Sequence, residues 1–284
     1  VGSNNPIVLG SSLSTTEMKN IWIILLFIYS GVASLLPVWV LLQPRDYINS
    51  HQLFIGLSLL FLGVFVAQPE VTAPAVRSLN EPGVPHLFPM LFVTIACGAI
   101  SGFHGLVSSG TSSKQLEKLS DSRIVGYGGM IGEGSLALVA TLAAVAGISL
   151  VGHANLPSVG NVTDLEWHVY YDTWEHASQN KAAAFVLGGG ALLKSLGIPE
   201  IFANTLMAVL VISFAATTLD SATRIQRYII AEFGSATKLK VFENKYFATL
   251  ISVIPGYFLA TNNELRNELW QTFGASNQML AALT

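Results

Sequence analysis

Residues Phe88 to Lys114 read FPMLFVTIACGAISGFHGLVSSGTSSK. The stretch begins as an apolar run fit for a membrane helix, then turns to Gly98, Ser101, Gly102, His104, Gly105, Ser108, Ser109 and Gly110. Hydrocarbon offers backbone groups no hydrogen-bond partners, so a helix that loosens there needs protein or a water-filled cavity over it. Interrupted helices of this kind place half-helix ends near the bilayer midplane, where secondary transporters bind substrates and coupling ions. The segment therefore points to carriage across a membrane.

The rest of the composition agrees. The chain is 51% hydrophobic and only 11% charged, against about 25% charged residues in a soluble domain. Its 14 basic and 17 acidic residues give no electrostatic footprint for nucleic acid. One cysteine, Cys97, lies in the apolar run, which leaves no disulfide framework and no cysteine metal site; it reads as a small buried hydrophobe. Val1 in place of Met, and an apolar run Met279 to Leu283 too short to cross, read as the ends of an interior piece of a longer chain. The first apolar stretch has no basic leader and no small-residue cleavage site, so it does not read as a signal peptide.

Stretches near the roughly 20 residues a span requires fall at 20–42, 52–68, 87–107, 125–151, 201–219 and 246–260, with a seventh at 270–284 cut short. This is an all-α polytopic membrane protein. Pro37 predicts a kink in the first span. Gln43-Pro44-Arg45-Asp46-Tyr47 reads as a short cytoplasmic turn, because Pro44 disfavours helix at Gln43. Arg45, Lys114, Lys118, Arg123, Arg224, Arg227, Lys238, Lys240 and Lys245 fall on one side, and Lys19, Arg77, Lys181, Lys194 and Arg266 on the other. The richer side is expected inside. The loop 152–200, with Asp164, Glu166, Asp172 and Glu175 among Trp167, Tyr170, Tyr171 and Trp174, is then outside. It reads as short surface helices, serving either as a lid or as plain packing. Asn161-Val162-Thr163 fits a glycosylation sequon, too short a pattern to carry weight.

Ionisable groups within membrane segments are costly unless paired or hydrated, so each is a functional candidate. His104 either exchanges a proton near neutral pH or bonds a carbonyl freed by the break. Glu133, about 15 Å along a helix starting near Arg123, sits near mid-membrane among small residues. It is either a proton carrier or a carboxyl bonded to a neighbouring helix. Ser213, Thr217, Asp220 and Arg224 recur at helical spacing on one face. With Thr218 and Ser221, Asp220 forms an oxygen-rich cluster of the kind hard cations prefer; the alternative is an Asp220–Arg224 ion pair stapling the helix end. Gly98 and Gly102 also fit close helix packing, and Asn277 and Gln278 fit bonding across helices.

Taken together, PVWVLLQPRDYINS from Pro37, the Phe88 stretch continued to Leu116, VGYGGMIGEG from Val125, ATTLDSATRIQRYI from Ala216 and LWQTFGASNQMLAAL from Leu269 resemble the carbon starvation protein A family of bacterial inner-membrane transporters. The resemblance implies uptake of peptides or pyruvate under nutrient shortage. It also implies a core of two inverted five-helix repeats, of which this chain resembles helices four to ten. The broken sixth helix would then be Phe88 to Val107, with Ala216 to Ser221 on the eighth, where relatives set hydroxyls around sodium. In proton-driven relatives a lysine on the fifth helix replaces that ion, and 52–68 contains none. The N-terminal helices that complete the site would come from the same protein.

The expectation is a symporter with substrate at Gly98, Ser101, Gly102, His104, Ser108 and Ser109, and a coupling proton or sodium at Glu133, Thr217, Thr218, Asp220 and Ser221. No catalytic residue, metal or further cofactor is expected. One alternative is an intramembrane hydrolase with Ser108 or Ser109 as nucleophile and His104 as base; no oxyanion site or orienting third group accompanies it. The other, a nutrient sensor that does not transport, lacks a signalling domain in this sequence.

Overall fold

The computed structural model describes residues 14–74, 88, 92–156, 160–163 and 165–283. The elements are α1 (Thr15–Leu35), α2 (Val38–Ala67), α3 (Phe92–Ala99), α4 (Gly102–Gly110), α5 (Asp121–Val145), β1 (His153–Leu156), β2 (Gly160–Thr163), α6 (Trp167–Tyr170), α7 (Trp174–Ser195), α8 (Glu200–Thr237), α9 (Lys240–Glu243), α10 (Lys245–Thr261) and α11 (Asn263–Leu283). Among the described residues four helices are long and apolar enough to cross a membrane: Glu17–Leu35, Val38–Ala67, Asp121–Val145 and Glu200–Thr237. The chain is an all-α polytopic membrane protein with one small hairpin. Leu87, Arg77 and Asp164, used in the reading of spans and loops, lie outside the described residues, as do the side chains of Cys97, Trp174, Glu175, Lys181 and Arg266.

Local chemistry sets the helix ends. Ser14 and Glu17 form a reciprocal capping box at the start of α1, with the Ser14 N–H donating to the Glu17 carboxylate at 2.8 Å. Pro37 ends that helix outright instead of kinking it: Leu36, just before it, is extended, and α2 begins at Val38. The expected turn at Gln43 to Tyr47 is absent, since Pro44 sits inside the continuous α2. Losing one backbone donor is tolerated there because an apolar surround leaves helix the only backbone conformation that satisfies itself. α2 stops at Gln68, in the left-handed region at φ 42°, followed by Pro69. α8, predicted over 201–219, runs for 38 residues, about 57 Å at 1.5 Å per residue, well beyond the roughly 30 Å of hydrocarbon.

The chain forms two compact units. One comprises Val1–Asp46, Phe88–Leu116 and Ala215–Thr284; the other comprises Tyr47–Leu87 and Glu117–Phe214.

The second unit is built around α7, which corrects the expectation for 152–200. β1 and β2 pair antiparallel, His153 opposite Thr163, and α7 continues for 22 residues, its C-terminal half buried. Its three consecutive glycines explain why. A Cβ on Gly188 would collide with the Ala143 carbonyl of α5, one on Gly189 with the Met207 side chain of α8, and one on Gly190 with Asn204 of α8. A Cβ on Gly63 of α2 would lie 2.7 Å from the Leu192 carbonyl. Lipid is as apolar as leucine, so helices associate in it through close van der Waals contact, which small residues permit. Leu60, Val139, Ala143, Leu192, Leu193, Ala203 and Met207 fill the space between. Around the hairpin, Tyr170 is fully buried and donates its hydroxyl to the Asn180 carbonyl at 2.6 Å.

In the first unit α1 and α10 pack side by side. Gly31 meets Val253 and Thr249, and Phe27 stands edge-on to Tyr257 at 6.1 Å. A groove of about 600 Å³ between them is lined by apolar side chains with Thr249 and two tyrosines; it presents a surface for hydrocarbon, not for chemistry.

Candidate functional site

The interruption expected from the sequence is present: α3 ends at Ala99, Ile100 and Ser101 leave helical geometry, and α4 begins at Gly102. Ser101, at φ −75° and ψ 130°, caps α4, its Oγ accepting from the Phe103 N–H at 3.2 Å. The same N–H donates to Asn277 Oδ1 of α11 at 2.9 Å, and Asn277 Nδ2 donates to Ser101 Oγ at 2.9 Å. Asn277 is 6% exposed, so an amide from another helix fills the positive end of α4. Gly102 permits this approach: a Cβ there would lie 2.6 Å from the Asn277 carbonyl and 2.8 Å from Leu280 Cβ. Asn277 thus bonds across helices, as expected, and the location of its bonds makes it part of the break.

The other candidates at the break are placed unequally. Ser101 and Gly102 form it. His104 is exposed on the first turn of α4, its N–H donating to the Ser101 carbonyl at 3.1 Å. A Cβ on Gly98 would meet open space. Ser108 and Ser109 donate their hydroxyls back to the Gly105 carbonyl at 2.9 and 3.0 Å, the usual bond of a helical serine.

The second cluster in this unit centres on Asp220 of α8, which is fully buried. Its partner is not Arg224, as the spacing of four had offered, but Arg45 of α2, whose Nη1 donates to Asp220 Oδ2. Tyr29 of α1 donates to the same oxygen at 3.4 Å and accepts from Arg45 at 3.4 Å. Arg45 also pairs with the half-exposed Asp46 at 3.0 Å. One turn on, Ser30 and Thr223 share a hydrogen bond of 2.6 Å, and Arg224 donates to the Ala33 carbonyl at 2.6 Å. Asp220 Oδ1 is buried without a donor among the described residues, although a carboxylate oxygen accepts up to two bonds. Thr217 and Ser221 are half-buried and Thr218 is exposed.

Glu133 differs from its expectation. It lies on α5 in the second unit and is exposed. Gly126, Gly128, Gly129, Gly132 and Gly134 flank it, each with open space where a Cβ would stand. Small residues around a carboxylate leave room for a close neighbour, and the flanking glycines here face open space.

Arg45, Tyr29, Ser30 and Thr223 escaped the sequence reading as site residues. Arg45 was hidden by Pro44, which turned a buried helical arginine into an expected loop cation. Its signal was available: an arginine only eight residues past Pro37, between two apolar runs, needs a buried acid, and Asp220 is one.

A family model described as carbon starvation protein CstA matches residues 6–284. The chain is 32% identical over 313 residues to the "Peptide transporter CstA" of Helicobacter pylori, covering 96% of this chain and 45% of that protein. It is 34% identical over 309 residues to the "Peptide transporter CstA" of Mycobacterium tuberculosis, covering 91% and 40%. It is 32% identical over 316 residues to the "Pyruvate/proton symporter BtsT" of Escherichia coli, covering 90% and 44%. The chain thus spans less than half the length of these relatives, all of which carry transporter names. No solved structure matches it. With nearly every residue inside the family match, the chain belongs to the carbon starvation protein CstA family.

Proposed function

We propose that the protein works as a secondary active transporter, a symporter importing peptides or pyruvate across the bacterial inner membrane during carbon starvation. The interrupted helix at Ile100 and Ser101 carries this reading, because it opens polar backbone inside an otherwise apolar segment. The family's peptide transporters and its pyruvate/proton symporter support it. Peptides and pyruvate both bear a carboxylate, the group a half-helix N-terminus favours through its N–H groups and dipole. Ser101, Gly102 and His104 form that end of α4, where a carboxylate would take the Phe103 N–H in place of Asn277 Oδ1, with Gly98, Ser108 and Ser109 along the same segment. Remaining helices of the intact protein would complete the site, within a core of two inverted five-helix repeats.

Coupling is assigned to Asp220. Arg45 takes one of its oxygens and leaves Oδ1 without a donor. One oxygen is too few for a hard cation, which takes six or more, but suffices for a proton. Protonation would cancel the attraction to Arg45 and release the contacts of α1, α2 and α8 around it, so that one bundle can rock against another. The test is uptake of labelled pyruvate and dipeptides by vesicles carrying the full-length protein, under imposed proton or sodium gradients. Accumulation driven by a proton gradient and lost in Asp220→Asn is expected; no gradient-dependent accumulation of either solute overturns the reading.

A further inference from the structure

Two arginines in the first unit, Arg224 and Arg227, contact the Tyr228 hydroxyl and have no carboxylate partner among the described residues. Arg224 and Arg227 sit three residues apart on α8, hence on one face, and are 2% and 7% exposed. A guanidinium does not deprotonate in proteins, so both charges persist in the interior, where an unpaired charge is strongly disfavoured. Among the described residues the ion pairs of this unit are those of Arg45 with Asp46 and Asp220. Arg224 donates one Nη to the Ala33 carbonyl, a neutral acceptor, and the Nε atoms of both Arg224 and Arg227 are buried without an acceptor. A third cation adds to the surplus: the Arg227 guanidinium lies 4.7 Å and the Lys114 ammonium 6.0 Å from the centre of the Tyr228 ring. Tyr228 is 44% exposed and Lys114 is exposed, so the cluster has a way in.

Its depth narrows the ligand. Glu200 to Leu219 supplies twenty residues, about 30 Å of helix, enough to cross the hydrocarbon. Arg224 and Arg227 follow five and eight residues later, about 7 to 12 Å beyond that edge, the level of lipid headgroups. Tetrahedral phosphate, with several anionic oxygens, can accept from two guanidiniums and an ammonium together. We propose that Arg224, Arg227 and Lys114 form a phosphate-binding site at the membrane interface, filled by the headgroup of an anionic phospholipid or by free phosphate.

Native mass spectrometry of the full-length protein in detergent, with added phosphatidylglycerol or inorganic phosphate, reads both sources. The wild type should hold one anionic phospholipid or one phosphate. Arg227→Gln should weaken it by about tenfold, the worth of a hydrogen bond to a charged group, and Arg227→Lys by less. The exposed Lys114→Gln, which puts folding at little risk, should lose about threefold. Lipid retained against excess phosphate identifies the headgroup as the ligand, whereas displacement by phosphate alone identifies the free ion. Failure of the wild type to hold either probe, or equal binding by wild type, Arg227→Gln and Lys114→Gln, overturns the proposal. Neither result bears on transport, which uptake measures separately.

Discussion

The two units of this chain are held together by different means. In the second, Gly188, Gly189 and Gly190 bring α7 against α5 and α8, and the buried residues around them are apolar. In the first, buried Asp220, Arg224, Arg227, Ser30, Thr223 and Asn277 recur among the contacts, and Asp220 Oδ1 and the Nε atoms of Arg224 and Arg227 lack partners among the described residues. Close-packed backbone has one arrangement and resists change. A polar network with vacant bonding capacity has others within reach, at a cost that protonation or a ligand can offset. The contrast separates a close-packed second unit from a first unit whose interior is polar.

The largest expected effect breaks the close-packed side. Gly188→Leu drives a side chain into the Ala143 backbone, which cannot yield as a side chain can. Loss of about 3 kcal/mol or more is expected, seen as a collapsed thermal melt and poor recovery of folded protein. A Gly188→Leu variant that melts like the wild type would dissolve the distinction between the units.

Next comes Asp220→Asn, which leaves Arg45 with the exposed Asp46 carboxylate and the Tyr29 hydroxyl. A cost of about 2 to 3 kcal/mol is expected, below the range for fully buried pairs because the Arg45 side chain is 16% exposed. Arg45→Gln in the same chain should restore part of that loss, and a thermodynamic cycle should return a coupling of about 1 to 3 kcal/mol. Additive single effects would mean the pair is not a unit.

Asn277→Ala removes two hydrogen bonds at the break, at a cost of about 1 to 2 kcal/mol. Asn277→Asp keeps the acceptor at the α4 N-terminus but loses the donor to Ser101, so its melting temperature should fall between the alanine variant and wild type. If the break holds substrate, both variants should change KM for uptake more than a matched destabilisation at Gly63 of the second unit does.

The smallest effect belongs to Asp172 in the second unit. The bond from His176 to Asp172, 2.8 Å long, is the main cause holding the exposed Asp172 carboxyl below its usual range, with the Thr173 N–H assisting. A lowered folded pKa makes this contribution present above the unfolded value of about 3.9 and lost as pH falls through the folded value. Asp172→Asn should therefore flatten the melting temperature slightly on the acid side, below about pH 5, and leave the proton-gradient dependence of uptake unchanged. Burial raises the Tyr170 and Tyr171 hydroxyl pKa values, so neither tyrosine contributes to that acid limb.

Much of the fold was legible because membrane helices announce themselves by length and apolarity, and the break at Ile100 and Ser101 by the small polar residues around it. The site was legible only in part. Asp220 stood out as a carboxylate among apolar neighbours, but spacing offered Arg224 as its partner, four residues away on the same helix. The actual partner is 175 residues distant in the chain, a separation that periodicity cannot report. Glu133 is harder to read for the converse reason: glycines beside it show that something can come close, and do not say what.

The sequence by itself determined the all-α membrane architecture, the family and the position of the helix interruption, because each follows from residue type along one segment and from what hydrocarbon forbids. Tertiary structure alone decided that α7 is a core helix, that Asn277 fills the broken end of α4, and that Asp220 faces Arg45 while Arg224 and Arg227 are buried. Those outcomes depend on which side chains different helices bring within about 3 Å, the range over which hydrogen bonds and ion pairs act.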